Sequence, residues 1–89
     1  MLRVVVYYSG RVQGVGFRFT AKHIARSYSV TGRVRNLPDG RVELIAEGDP
    51  AEIDRYLAEL AKTMGGNIRD SQRSEQPGTG EFAEFVIGK

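Results

Sequence analysis

Two stretches of this chain place apolar residues on one helical face only. Phe17, Ala21, Ile24, Ala25 and Tyr28 fall at i, i+4, i+7, i+8 and i+11, which predicts a helix from about Phe17 to Tyr28. Ile53, Tyr56, Leu57, Leu60, Ala61 and Met64 form a second stripe. A helix with a single apolar stripe must lay it against another surface, and two such helices can cover the same face of one sheet. Strand-like runs are available for that sheet. Leu2 to Ser9 is apolar at both parities, as suits a central strand. Val30 to Leu37 and Arg41 to Gly48 read as a hairpin around Leu37-Pro38-Asp39-Gly40, where Pro38 presets φ and Gly40 closes the turn.

The second helix has a marked start. Asp49 caps it, Pro50 takes the first helical position, and Glu52 is placed to complete a capping box. Gly65-Gly66 ends it. Ile68 to Ser74 is polar and reads at best as an edge strand; residues 76–80 form a loop, and Glu81 to Ile87 a last strand. The order is β-α-β-β-α-β with an extra C-terminal strand. It predicts an α+β fold, a ferredoxin-like two-layer sandwich with an antiparallel sheet of four to five strands and two helices on one face. Residues 1–89 make a single domain, since a chain this short has no room for a second core.

Composition removes several classes of function. Cysteine is absent, so neither disulfides nor thiolate chemistry are available. The apolar run Leu2–Tyr8 is too short for a signal peptide, and no run is long enough to span a membrane, so a cytoplasmic protein is expected. Charge is unevenly spread. Residues 1–42 hold eight Lys or Arg against one acid, and residues 43–89 hold five against ten, giving +7 and −5 around a net +2. A basic half would draw in an anionic ligand.

That half contains Gly10-Arg11-Val12-Gln13-Gly14-Val15-Gly16-Phe17-Arg18, which follows a strand and opens a helix. Glycines let main-chain N–H groups approach a ligand, a helix N-terminus adds unpaired donors, and Arg18 adds a forked cation. The loop lacks the Gly-Lys-Ser/Thr ending of a Walker motif, and Phe19 stands where a dinucleotide fingerprint needs its third glycine. Two readings of the loop remain: a socket for a small anionic group, or a plain turn from strand to helix with Arg18 solvated. Asn36, at the end of the second strand, either bonds its own backbone, as Asn beside a turn commonly does, or points toward the loop's mouth, where an amide can hold a water without competing for a proton.

The first motif, taken with Gly32-x-Val34-Arg35-Asn36-x-x-x-Gly40-x-Val42-Glu43, resembles the two signature motifs of the acylphosphatases. The resemblance spans nearly the whole chain. It implies hydrolysis of the carboxyl-phosphate bond of acyl phosphates to a carboxylate and inorganic phosphate. It implies that Gly10, Arg11, Val12, Gln13, Gly14, Val15 and Gly16 form the phosphate-binding loop, that Arg18 grips the phosphate, and that Asn36 positions the attacking water. Inorganic phosphate would be product and inhibitor. Arg33 stands where family members usually carry an aromatic residue; by strand parity it shares a face with Arg35, opposite Val34 and Asn36.

A carboxylate is a stable leaving group, so no strong general acid is needed, which suits a chain with one histidine. No metal and no cofactor are expected, because the acids form no ligand cluster along the sequence. His23 lies off the apolar stripe and reads as solvated surface, Tyr7 and Tyr8 as sheet packing, and Met64 as core filler. A rival reading is a nucleic-acid-binding module, since ferredoxin-like sheets carry RNA recognition motifs. It needs aromatics on the third strand, and Arg41-Val42-Glu43-Leu44-Ile45-Ala46-Glu47 has none. A third reading is a regulatory anion-binding domain without turnover. The expectation is a monomeric enzyme with a small-molecule acyl phosphate as partner, acting on neither nucleic acid nor membrane.

Overall fold

The computed structural model describes residues 1–89, as β1 (Leu2–Gly10), α1 (Phe17–Ala25), β2 (Val30–Asn36), β3 (Val42–Gly48), α2 (Pro50–Met64), β4 (Ile68–Pro77) and β5 (Phe85–Ile87). The strands form one sheet in the order β4-β1-β3-β2-β5. Both helices lie on one face, α1 against β2 and β5, α2 against β3 and β2. The ferredoxin-like α+β sandwich is as expected. The sheet, however, is mixed rather than antiparallel throughout, because β5 runs parallel to β2. The route of the chain explains this. β4 ends beside the start of β1, with Pro77 opposite Leu2. Residues 78–84 then pass along that end of the sheet, so β5 departs from the same end as β2 and runs with it.

The core lies between sheet and helices. Val4, Val6 and Tyr8 of β1, Val34 of β2, and Val42, Leu44 and Ala46 of β3 meet Phe17, Ala21 and Ile24 of α1 and Ile53, Tyr56, Leu60 and Met64 of α2. Burying each large apolar side chain stabilises the fold by about 1.5–3 kcal/mol. Tyr56 also donates its hydroxyl proton to the Ala21 carbonyl at 2.8 Å, which fixes α2 against α1. Val12 of the loop is 1 % exposed, so the core extends under the glycine loop and anchors it.

Four local expectations need correction. α1 stops at Ala25 instead of Tyr28. Three successive i→i+3 bonds follow, from Arg26 to His23, Ser27 to Ile24 and Tyr28 to Ala25, and these tighter turns deliver Val30 to the sheet. Tyr28 still packs near Tyr56, ring centres 6.2 Å apart. Asp49 caps α2 by accepting the Ala51 N–H at 3.1 Å, but Glu52 closes no capping box. Its carboxylate accepts the Ser29 N–H at 2.9 Å and pairs with Arg55, tying the α1–β2 link to α2. β4 is ten residues long, and β5 only three.

The sheet face away from the helices is not bare. Glu43 and Glu47 are both buried there. Glu43 takes Arg35 at 2.8 Å, Arg33 at 3.5 Å and the Tyr7 hydroxyl at 3.1 Å. Glu47 takes Arg3 at 2.9 Å and pins the segment that follows β4. Arg3 and Arg33 lie over Phe82 of that segment, 5.5 and 5.7 Å from its ring centre. Arg33, in place of an aromatic residue, thus holds an aromatic one.

Candidate active site

The sheet end opposite the 78–84 crossing gathers the glycine loop, the helix start and Asn36. A row of three residues sets the geometry: Tyr8 faces Val42 across β1–β3, and Val42 faces Asn36 across β3–β2. Tyr8 and Val42 both enter the core, so Asn36 shares the helix-bearing face. Tyr8 in turn packs on Phe17, the first residue of α1, with ring centres 5.0 Å apart. The helix start and Asn36 therefore sit at the same end and on the same side of the sheet. Burial pushes Tyr8 well above the usual tyrosine range, which keeps a phenolate away from this end.

The loop is shaped by backbone conformation. Gly14 and Gly16 adopt φ of 75° and 80°, and nothing lies within 4 Å of where a Cβ would stand. Glycine is needed there for the left-handed turn rather than for space. Gly16 is the N-cap of α1 and makes no side-chain capping bond. Arg11 donates its main-chain N–H to Asn67 at 2.9 Å, and Thr20 donates to Gly16 at 2.9 Å. Between them, the N–H groups of Val12 to Phe19 find no main-chain acceptor. A run of free amides at a helix N-terminus, with no acidic residue in the first turn, is a ready anion cradle.

Gln13 holds the cradle in place. Its Nε2 donates to the Leu37 carbonyl at 2.8 Å and the Arg41 carbonyl at 2.9 Å, stapling the loop to both sides of the β2–β3 turn. Those residues flank Asn36 and Val42 directly. The Asn36 Oδ1 is buried and has no hydrogen-bond partner within the protein. A buried amide oxygen left open in this way costs free energy unless a ligand or water donates to it.

Val12, Gly14, Gly16 and Arg18 line one cavity of about 190 Å³, joined by Phe19 and by Ile87 of β5. Ile87 stands opposite Val34, two residues before Asn36, so this cavity abuts the same end of β2. Not every predicted loop residue faces it. Gly10 and Arg11 line a separate groove with Asn67 and Arg69, Gln13 is turned to the hairpin, and Val15 is exposed. Electrostatics sharpen the picture. Arg3, Arg33, Arg35 and Arg41 are spent in ion pairs with Glu47, Glu81, Glu43 and Asp39. Arg11, Arg18, Lys22 and Arg26 form none, and all four lie in the loop or on and just after α1. The unneutralised positive charge of the first half is thus concentrated around the cradle.

The sequence model of the acylphosphatase family matches residues 4–87. The chain belongs to the acylphosphatase family. Hydrolysis of acyl phosphates is that family's function. The chain is similar to an acylphosphatase of Methylococcus capsulatus, 47% identical over 93 residues that cover 98% of this chain and 96% of the relative. In structure it resembles the acylphosphatase from Bacillus subtilis, with TM-score 0.88 and 29% identity over the whole of both chains. It also resembles an acylphosphatase from Coxiella burnetii, with TM-score 0.82 and 27% identity over 97% of this chain and 90% of that one. The acylphosphatase match includes both the glycine loop and the hairpin that Gln13 joins. Gln13 was legible as a loop member, but its part as a staple was not, because its acceptors are carbonyls 24 and 28 residues away.

Proposed function

We infer that this chain hydrolyses carboxyl phosphates through the loop amides, Arg18 and an Asn36-held water, without a metal. The observation that carries this reading is the pairing, at one sheet end, of a run of unpaired amides with a buried, partnerless amide oxygen. The two ask for complementary things: the amides for an anion, the Asn36 oxygen for a donor. A phosphate in the cradle and a water on Asn36 satisfy both.

The reaction then needs little more than placement and charge. The amides of Val12 to Phe19 and the Arg18 guanidinium hold the non-bridging phosphate oxygens and disperse their charge. Asn36 Oδ1 accepts a hydrogen bond from the water and aims its oxygen at phosphorus, in line with the acyl oxygen. The new O–P bond forms as the P–O bond to the acyl group breaks, and the carboxylate leaves with the electron pair. A phosphate oxygen takes up the proton that the water loses. Inorganic phosphate is released and, fitting the same cradle, competes with substrate. The carboxylate needs no proton to leave, so no acid is required of His23, which is exposed on α1.

A monomer in the cytoplasm, handling a small acyl phosphate, belongs to the same reading. Nucleic acid does not: the open sheet face carries two buried glutamates and the arginines they hold. Release of phosphate from acetyl phosphate in the presence of EDTA tests the function. Turnover unaffected by the chelator is expected. Inactivation that a divalent cation reverses contradicts the metal-free step.

A further inference from the structure

Large apolar side chains are left exposed at only four positions, and three of them surround the cradle: Val15 at 41 %, Phe19 at 70 % and Ile87 at 41 %. Scattered exposed apolar groups are ordinary, but such a concentration at the mouth of one site marks a binding surface. Two of the three are shared between cavities. Phe19 and Ile87 line the cavity of Gly14, Gly16 and Arg18, and they also line a second one of about 330 Å³ with Lys22, His23 and Arg26. They come from separate elements, the first turn of α1 and the end of β5. The ridge is therefore built by the tertiary fold.

We propose that Phe19 and Ile87 form the seat of the substrate's acyl group, and that the enzyme selects acyl phosphates with an apolar acyl body of aromatic size over small ones. This rests on the phosphate-cradle reading above and extends it to the other half of the substrate. The carbonyl carbon is bonded directly to the bridging oxygen, so an acyl group must lie against whatever borders the cradle. Here the border is the Phe19 ring and the Ile87 side chain. An acetyl group is too small to cover both, whereas an aromatic ring can stack on Phe19 and still touch Ile87. Lys22 and Arg26 line the second cavity as well. Their charge disfavours a cationic acyl group and admits a neutral or anionic one. The Phe19 main-chain amide belongs to the cradle, but its side chain meets only the acyl body, so the side chain determines specificity and its replacement leaves the amide in place.

The test compares kcat/KM for benzoyl phosphate and acetyl phosphate in wild-type protein, Phe19→Ala and Phe19→Leu. Phe19 is exposed, so neither variant threatens the core. Wild-type protein should favour benzoyl phosphate, and Phe19→Ala should lower the benzoyl-to-acetyl ratio by about tenfold. Phe19→Leu should restore part of the ratio, and the inhibition constant of inorganic phosphate should stay the same in all three. Turnover of both substrates with a ratio that Phe19→Ala leaves unmoved overturns the acyl seat and leaves the cradle standing. Turnover of neither substrate by wild-type protein overturns both.

Discussion

The Gln13 amide donates at 2.8 Å to the Leu37 carbonyl, one residue beyond Asn36, and so couples the position of the glycine loop to that of the second motif. A second bond from the same nitrogen, to Arg41, closes the staple from the other side of the hairpin. Removing this side chain deletes two hydrogen bonds to carbonyls that each keep a main-chain donor, Leu37 from the Gly40 N–H at 3.1 Å and Arg41 from the Leu37 N–H at 2.8 Å, at a cost of about 0.5–1.5 kcal/mol per bond lost. More to the point, it frees the cradle to drift relative to the water site. Gln13→Ala should therefore lower kcat by roughly 100-fold, since small misplacements at a reacting centre are costly. Gln13→Glu should do no better, because a carboxylate faces two carbonyls and donates to neither. Steady-state kinetics of both variants check this; full turnover in Gln13→Ala would show that the loop holds its place without the staple.

Arg18 is asked to do more than supply charge. Its guanidinium forms no ion pair with the protein and lines the same cavity as Gly14 and Gly16. Two parallel N–H bonds to phosphate need a planar fork. Arg18→Ala should abolish hydrolysis. Arg18→Lys should also lose most of it, by about 100-fold or more, although the charge is kept. A lysine variant within a few-fold of wild type would reduce Arg18 to a point charge.

Glu47 should set the acid stability of the fold. Burial disfavours its carboxylate, but donors from the Thr79 N–H at 3.0 Å, the Thr79 hydroxyl at 2.9 Å, the Gly80 N–H at 2.9 Å and Arg3 at 2.9 Å outweigh this. They hold its pKa below the ordinary value near 4.5. A carboxylate with a lowered folded pKa contributes stability that is complete above the unfolded value and is lost as pH falls through the folded one. Wild-type protein should then lose stability below about pH 4.5, through this group among others. Glu47→Gln should be less stable at pH 7 by about 2 kcal/mol and show a shallower decline toward pH 3. Thermal unfolding across that range measures both. Parallel curves for the two proteins would show that the Glu47 charge does not matter to folding.

The elements that pack on the core were readable before the structure. The stripes of both helices and the β-branched strands name their own partners, because burial imposes a period on sequence. The turn of the glycine loop and the place of Asn36 at the end of β2 were readable for a different reason: glycines at positive φ and a Pro-Asp-Gly turn are dictated by local backbone conformation. What escaped reading depends on distant contacts. β4 lies at the edge with Arg69 to Pro77 all exposed, so no face of it is patterned, and its length follows only from pairing with β1. β5 is parallel because residues 78–84 are pinned along one sheet end by Glu47, 32 and 33 residues earlier. Glu43 and Glu47 alternate with Val42, Leu44 and Ala46 and look like a solvent-facing set. Only the arginines of β1 and β2, set opposite them by sheet register, turn that face into a buried ion-pair layer.

Turnover depends on an anion cradle and an aimed water acting together at one sheet end. Comparing Asn36→Ala with wild-type protein, for both turnover of acetyl phosphate and inhibition by inorganic phosphate, tests it most directly. The prediction is a kcat lower by about 100-fold or more with the phosphate inhibition constant within about threefold of wild type. Undiminished turnover in Asn36→Ala, or a loss of phosphate affinity as large as the loss of turnover, would contradict it.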